Sequence, residues 1–306
     1  MNTIVTEHLL ALFLGVAPER EEELQKLLNQ YSVVAHVVAD DADGNLPVMD
    51  AGAYVIVRFN HRILRAIWLL SFSAWEGYIA THVEAQPLDA TEALRRFKST
   101  LDTAMQVCAA ENPDSIPFPK GIPQPGILED HQPDSYARVA AEIAIFAAGW
   151  ALLHETRHLM HQQEGTSGVG TAEERHKEEL SCDEFATRFL LEKVDEYAVS
   201  HGESKELVTM KRQIGIHFAM YALAVIGRDN WGESSTHPAI QSRIDQALSI
   251  MEEEGFSKGA AIIACASFAA LRREFPNAPA PLESITERAK NENWSPSSFA
   301  DIGITP

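Results

Sequence analysis

Little in this 306-residue chain can cross-link it. Three cysteines, Cys108, Cys182 and Cys265, lie far apart and are odd in number. That excludes a disulfide framework and a cysteine-based zinc site, and it fits a reducing compartment. Positive charge is also scarce: 25 Lys and Arg stand against 44 Asp and Glu, a formal net charge of −19. Such a balance repels phosphate backbones and anionic headgroups, so neither nucleic acid nor a membrane is expected as a partner. Long apolar runs are lacking. The stretches "VAAEIAIFAAGWALL" and "AAIIACASFAAL" fall short of the ~20 residues that span a bilayer and read as buried helices. The N-terminal apolar run is preceded by Glu7 and by no Lys or Arg, unlike a secretory signal. A cytoplasmic protein is the expectation. There is no internal repeat and no low-complexity segment.

Hydrophobic residues make up 45% of the chain, enough for a real core. Residues 20–30 read as a short helix. The β-branched runs "YSVVAHVVAD" and "AGAYVIVRFN" flank the turn-rich "DADGNLPVMD", which predicts a hairpin. Residues 62–84 return to helical spacing through Trp68, Leu69, Phe72, Trp75 and Ile79. Another helix runs from "DATEALRRF" to Val107, with Asp89 or Thr91 at its cap. The spacing then divides the chain into a mixed α/β region (1–111), a proline-dense linker or site-lining loop (112–133), a helical core (134–275) and an irregular tail (276–306). Within the core, helices are predicted over 134–163, 171–201, 204–228, 237–254 and 257–274. The fold class is α+β, predominantly helical, with a small N-terminal β element.

Chemistry concentrates in "ALLHETRHLMHQQ", residues 151–163. On a helix, residues four apart share a face, so His154 and His158 can present both imidazoles to one Zn2+ ion. Glu155 is then held beside the position where water binds and can take its proton as general base. A catalytic zinc needs a third protein ligand. Downstream, "HKEELSCDEFATRFLL" places Glu179 and Asp183 on one helical face. The glycine-bearing "EGTSGVGTAEER" before it lets that helix fold back on the first. Glu179 is the assigned third ligand. Asp183 is assigned to accept a hydrogen bond from the free ring nitrogen of a ligand histidine. Neighbouring Glu178 and Glu184 read as solvated carboxylates.

A third segment, "STHPAIQSRIDQALSIM", has a helix start in which Pro238 takes the first position and Thr236 or His237 the cap. His237 is the candidate for stabilising the oxyanion formed as water attacks a peptide carbonyl. Arg243 is placed to hold a carboxylate, Asp183 or Glu179. His161 lies a turn beyond the motif, and the glycine and later histidine of the metzincin pattern are missing, so it reads as a supporting or surface residue. His217, inside "IGIHFAMYALAVIG", reads as a core histidine. Arg157 faces away from the metal, and no base–nucleophile pattern makes Cys182 a catalytic cysteine.

"HETRH", "ELSCDEFA" and "HPAIQSRI" together resemble the gluzincin plan, in which His-Glu-x-x-His is followed by Glu-x-x-x-Asp on the next active-site helix. The last element is similar to one in the membrane-bound prenyl-protein and heat-shock peptidases. Length, the missing membrane spans and the mid-chain motif look more like the phage-exclusion (Lit-like) peptidases. The resemblance is specific over residues 150–245. It implies a zincin-like active-site helix and a zinc endopeptidase with His154, His158 and Glu179 as ligands and Glu155 as base. Asp183 and His237 take supporting or transition-state roles. The substrate is then a protein or peptide, and the resemblance carries one particular option, a translation elongation factor cleaved in phage-infected cells. The rival readings are a zinc-bound but non-catalytic sensor, a metal-free helical interaction module and a zinc amidase acting on small molecules. An open zinc peptidase inside a cell endangers that cell, so latency or narrow specificity is expected.

Overall fold

In the computed structural model, residues 11–30, 36–38, 50–52, 56–81, 90–125, 135–168 and 170–291 are described. The chain is predominantly helical. Residues 11–15 are helical and lead through a 3-10 turn at Pro18–Arg20 into α1 (Glu21–Gln30). There follow α2 (His61–Thr81), α3 (Ala90–Ala109), α4 (Ser135–Glu164), α5 (Ala172–Leu191) and α6 (Val194–His201). The chain continues with α7 (Lys205–Ile226), α8 (Ile240–Glu254), α9 (Lys258–Glu274) and α10 (Leu282–Asn291). Asp89, expected near the cap of α3, and the final residues 292–306 lie outside the described residues.

Three short strands, β1 (His36–Val38), β2 (Asp50–Gly52) and β3 (Ile56–Asn60), form a sheet in the order β1-β3-β2. Among the described residues the expected hairpin between the two β-branched runs does not form. Gly52 pairs with Ile56, so β2 and β3 run antiparallel inside the second run and β2 occupies one edge of β3. β1 takes the other edge, where it runs parallel, with His36 opposite Arg58.

α4 is largely buried. Ala140, Ala144, Ala147 and Leu153 are fully buried, and a helix apolar on nearly every side has to be wrapped by others. By length and composition, Ala137–Glu164 is the one helix among the described residues that is apolar enough to cross a membrane, and most of that window is buried inside the fold. α2, α5 and α7 pack around it. Between α4 and α7 the approach is close because Gly215 has no side chain: a Cβ there would lie 2.3 Å from the Cβ of Phe146. One apolar cluster runs from Phe13 and Val16 to Ile285.

Three boundaries differ from those predicted. The single helix over 171–201 is two, broken at Glu192–Lys193. α8 begins at Ile240, with Ala239 as N-cap and no side-chain cap, so Thr236, His237 and Pro238 belong to the preceding connection. The tail is not wholly irregular: α10 docks Ile285 into the core. The proline-dense loop, as far as Pro125, packs on α2. Trp68 Nε1 donates to the Pro123 carbonyl at 2.9 Å, and Arg65 Nη2 to that of Ile116 at 3.0 Å. None of its described residues lines the cleft described next.

Candidate metal centre

α4 ends in the HETRH stripe, and α5 returns along it. Thr171 starts α5 with a capping box: its side chain accepts from the Glu174 amide, and Glu174 accepts from the Thr171 amide. The two helices then run antiparallel with matched four-residue steps. Trp150 Nε1 donates to Thr187 Oγ1 at 3.0 Å. One turn further along α4, His154 Nδ1 lies 2.9 Å from Asp183 Oδ1. One turn further again, His158 Nε2 is 3.4 Å from Glu179 Oε1. The i,i+4 spacing on both helices builds this ladder.

Its result is a cluster of His154 Nε2, His158 Nε2 and the Glu179 carboxylate, with donor atoms within 4.8 Å of one another. Each histidine turns its other nitrogen to a carboxylate. Asp183 takes His154, and Glu178 takes His158 at 2.7 Å. A carboxylate on Nδ1 keeps the proton there and leaves the Nε2 lone pair for a cation. The two Nε2 atoms are 3.1 Å apart. A cation held among them would remove the repulsion between two bare lone pairs at that distance. This donor set, two imidazoles and a carboxylate around a shared point, fits a metal ion.

Electrostatics say the same. Burial raises the pKa of Glu179, but hydrogen bonding to His158 and the charges of Arg243 and His154 overcome it and hold the carboxyl well below its usual range. Burial lowers the pKa of His158, yet Cys182, Glu178 and Glu179 push it far above that of an ordinary imidazole. Cys182, fully buried beside His158, has its thiol pushed up to about 11 chiefly by burial. It remains a thiol at neutral pH.

Asp183 is fully buried. Burial raises its pKa, and Arg243 and His154 together bring it below the usual value. Arg243 grips it bidentately, with Nε to Oδ2 and Nη2 to Oδ1 both at 2.7 Å. Its remaining nitrogen, Nη1, lies 3.4 Å from Glu179 Oε2. The open choice between Asp183 and Glu179 therefore resolves as both. Such a two-pronged charged pair is strong and directional.

Glu155 is buried at the wall of a cleft of about 670 Å³ that the ligand cluster also lines. Ile63, Ile67, Ala222 and Leu223 form its apolar side, and Asn230 and His237 part of its rim. His237 sits on that rim, with its side chain more than half exposed and Nε2 3.5 Å from Glu179 Oε1. Thr236 Oγ1 is 2.8 Å from its Nδ1. His161 is not in the cluster. Its ring nitrogens meet Thr166 Oγ1 at 2.8 Å and Ser181 Oγ at 3.1 Å, tying the end of α4 to α5. Arg157 points to Met160 and Glu164, and His217 is buried outside the cleft-lining set.

Glu178 is the residue that sequence reasoning missed. It is not a solvated carboxylate: besides His158 it accepts from Ser167 Oγ at 3.1 Å and from the Gly168 amide. The only signal in the sequence was its place beside Glu179, facing the Ser-Gly turn that the chain must make to bring α5 back.

Two histidines one turn apart and a facing glutamate make up a donor set that could hold a metal ion, with a second glutamate at the wall of the same cleft. The Peptidase U49 family model matches residues 57–263, which include every residue of this site, and the chain belongs to that family. Among curated proteins, the cell death peptidase of Escherichia coli (strain K12) is 27% identical over 253 residues, covering 76% of each chain. No solved structure matches. The peptidase resemblance read over residues 150–245 lies within the family match.

Proposed function

We propose that this chain is a zinc-dependent endopeptidase, with α4 as a zincin-like active-site helix. The observation that carries the reading is the convergence of His154, His158 and Glu179 with Glu155 beside them at the cleft wall. His154, His158 and Glu179 hold the ion. Bound there, zinc supplies Lewis acidity toward a substrate carbonyl and toward water.

The chain's own groups do the rest. Glu155 accepts the proton of the attacking water and passes it to the leaving amine. His237, aimed at the ligand cluster from the rim, donates to the oxyanion of the tetrahedral intermediate. Asp183 and Glu178 keep the histidine rings in the ligating tautomer, and Arg243 fixes Asp183 and Glu179 together. The apolar side of the cleft lowers the local dielectric, which strengthens each of these interactions.

The protein acts in the cytoplasm on a polypeptide and is latent or narrowly specific; a translation elongation factor is the first substrate to offer it. Metal analysis of protein purified without chelator or His-tag tests the centre. One zinc per chain is expected in the wild type, retained in Glu155→Gln and weakened or lost in Glu179→Ala. Glu155→Gln should also abolish cleavage. No metal, with melting unchanged on adding zinc, refutes the proposal. Zinc without turnover of any protein leaves the sensor reading. Broad casein cleavage by the resting protein would remove the latency.

A further inference from the structure

We propose that His176, assisted by Arg175, is a positioning residue that straps the rim of the cleft to α5 and thereby holds His237 over the ligand cluster. What His237 does there rests on the peptidase reading; the strap itself rests on hydrogen bonds.

The connection between α7 and α8 forms one wall of the cleft through Asn230, Gly232, Ser234, His237 and Pro238. Its ends are fixed from within: Trp231 Nε1 donates to the Ala224 carbonyl at 2.8 Å, and the Ile240 amide to the Trp231 carbonyl at 3.1 Å. In the middle, Ser234 closes a tight turn. Its amide donates to the His237 carbonyl at 2.9 Å, and its Oγ accepts from the amides of Thr236 at 3.2 Å and His237 at 2.9 Å. Residues 235–237 are exposed, and nothing in the turn's own bonding sets its height above the site.

α5 does that. His176 Nε2 donates to the Ser234 carbonyl at 2.7 Å, and its Nδ1 lies 3.5 Å from Glu233 Oε1. Arg175 Nη1 donates to the Ser235 carbonyl at 3.1 Å, while Nη2 reaches back to that of Gly170 at 3.3 Å. The same helix carries Glu179 three residues later, the group His237 faces across the opening. One helix therefore supplies both the ligand and the strap that sets the opposing histidine against it. The His176 side chain is largely shielded from water. In such a setting a neutral hydrogen bond is worth about 2- to 10-fold in an equilibrium.

Hydrogen exchange read by mass spectrometry over residues 232–238 tests the strap. His176→Leu should speed exchange there several-fold while the exchange of α4 stays as it was. His176→Gln, which keeps an N–H donor of similar reach, should restore protection. Arg175→Met should act in the same direction through Ser235, and it covers the case in which His176→Leu folds poorly. Unchanged exchange in His176→Leu and Arg175→Met overturns the strap.

On any peptide turned over from a mixed fluorogenic library, His176→Leu should lower kcat several-fold with little change in KM. It should add nothing in a His237→Ala background, because residues acting through one another are non-additive. Fully additive losses overturn the coupling to His237. If no peptide is cleaved and no metal is bound, the peptidase reading falls, and the exchange comparison still decides the strap.

Discussion

Which nitrogen of a ligand histidine is available depends on what holds the other one, and here two different carboxylates do the holding. Asp183 sits in a closed chain of charge, His154 to Asp183 to Arg243 to Glu179, with every member buried. Removing one partner from such a set strands a charge away from water and costs several kcal/mol. Glu178 is different: it answers to the Ser167–Gly168 turn on one side and His158 on the other. Its loss should spare the fold and loosen the metal. Partners that orient ligand histidines are worth about 10- to 100-fold in metal affinity. Glu178→Ala should therefore raise the zinc dissociation constant by that order. Glu178→Gln, which keeps a carbonyl acceptor for Nδ1–H, should raise it less. Competition with a chromogenic chelator measures both, and an unchanged constant in Glu178→Ala would show that His158 needs no orienting group.

α4 is hemmed in by neighbours that approach it closely, among them Gly215 of α7 against Phe146. Gly215→Ala gains up to about 1 kcal/mol of helix propensity. It also places a methyl 2.3 Å from the Cβ of Phe146 and near the Ile143 carbonyl. Those atoms belong to the helix itself rather than to the end of a flexible side chain, so α4 or α7 must shift. Overpacking of this kind costs about 1–3 kcal/mol, and it should win. A lower urea midpoint, with weakened zinc binding as α4 moves, is the expected result; a raised midpoint would mean that the helices slide freely. The same two helices show what a sequence discloses. The stripe Trp150, His154, His158 and the stripe Glu179, Asp183, Thr187 are each set by helical periodicity within one element, so the grouping of His154, His158 and Glu179 could be read directly. Glu178 could not, since its partners lie on a turn whose shape depends on how α5 docks. The direction of β1 was hidden for the same reason: which edge of β3 it takes is decided by where β2 pairs. The break at Glu192–Lys193 carries no proline or glycine, and among the described side chains of α10 only Ile285 is buried. Neither leaves a strong local mark.

At the scale of the whole molecule, the net charge of −19 makes mild acid favourable for the surface, because protonating carboxylates relieves repulsion. The core opposes this through His217. That imidazole is completely buried on α7, and burial pushes its pKa down to about 4. In the unfolded chain an imidazole titrates near ~6.5. Between the two values the unfolded state binds the extra proton, so stability rises with pH across that window. Read toward acid, the stability is intact above ~6.5 and is lost progressively until the folded ring itself protonates near 4. With about 1.4 kcal/mol for each unit of pKa difference, the loss attributable to His217 is about 3 kcal/mol. Urea unfolding of wild type and His217→Leu at pH 7.0, 5.5 and 4.5, both saturated with chelator so that metal loss does not intrude, isolates it. The variant's stability should fall less steeply with acid than the wild type's, whatever its stability at neutral pH. Parallel curves would mean that the ring finds a proton acceptor when charged, and that acid opens this fold through its carboxylates alone.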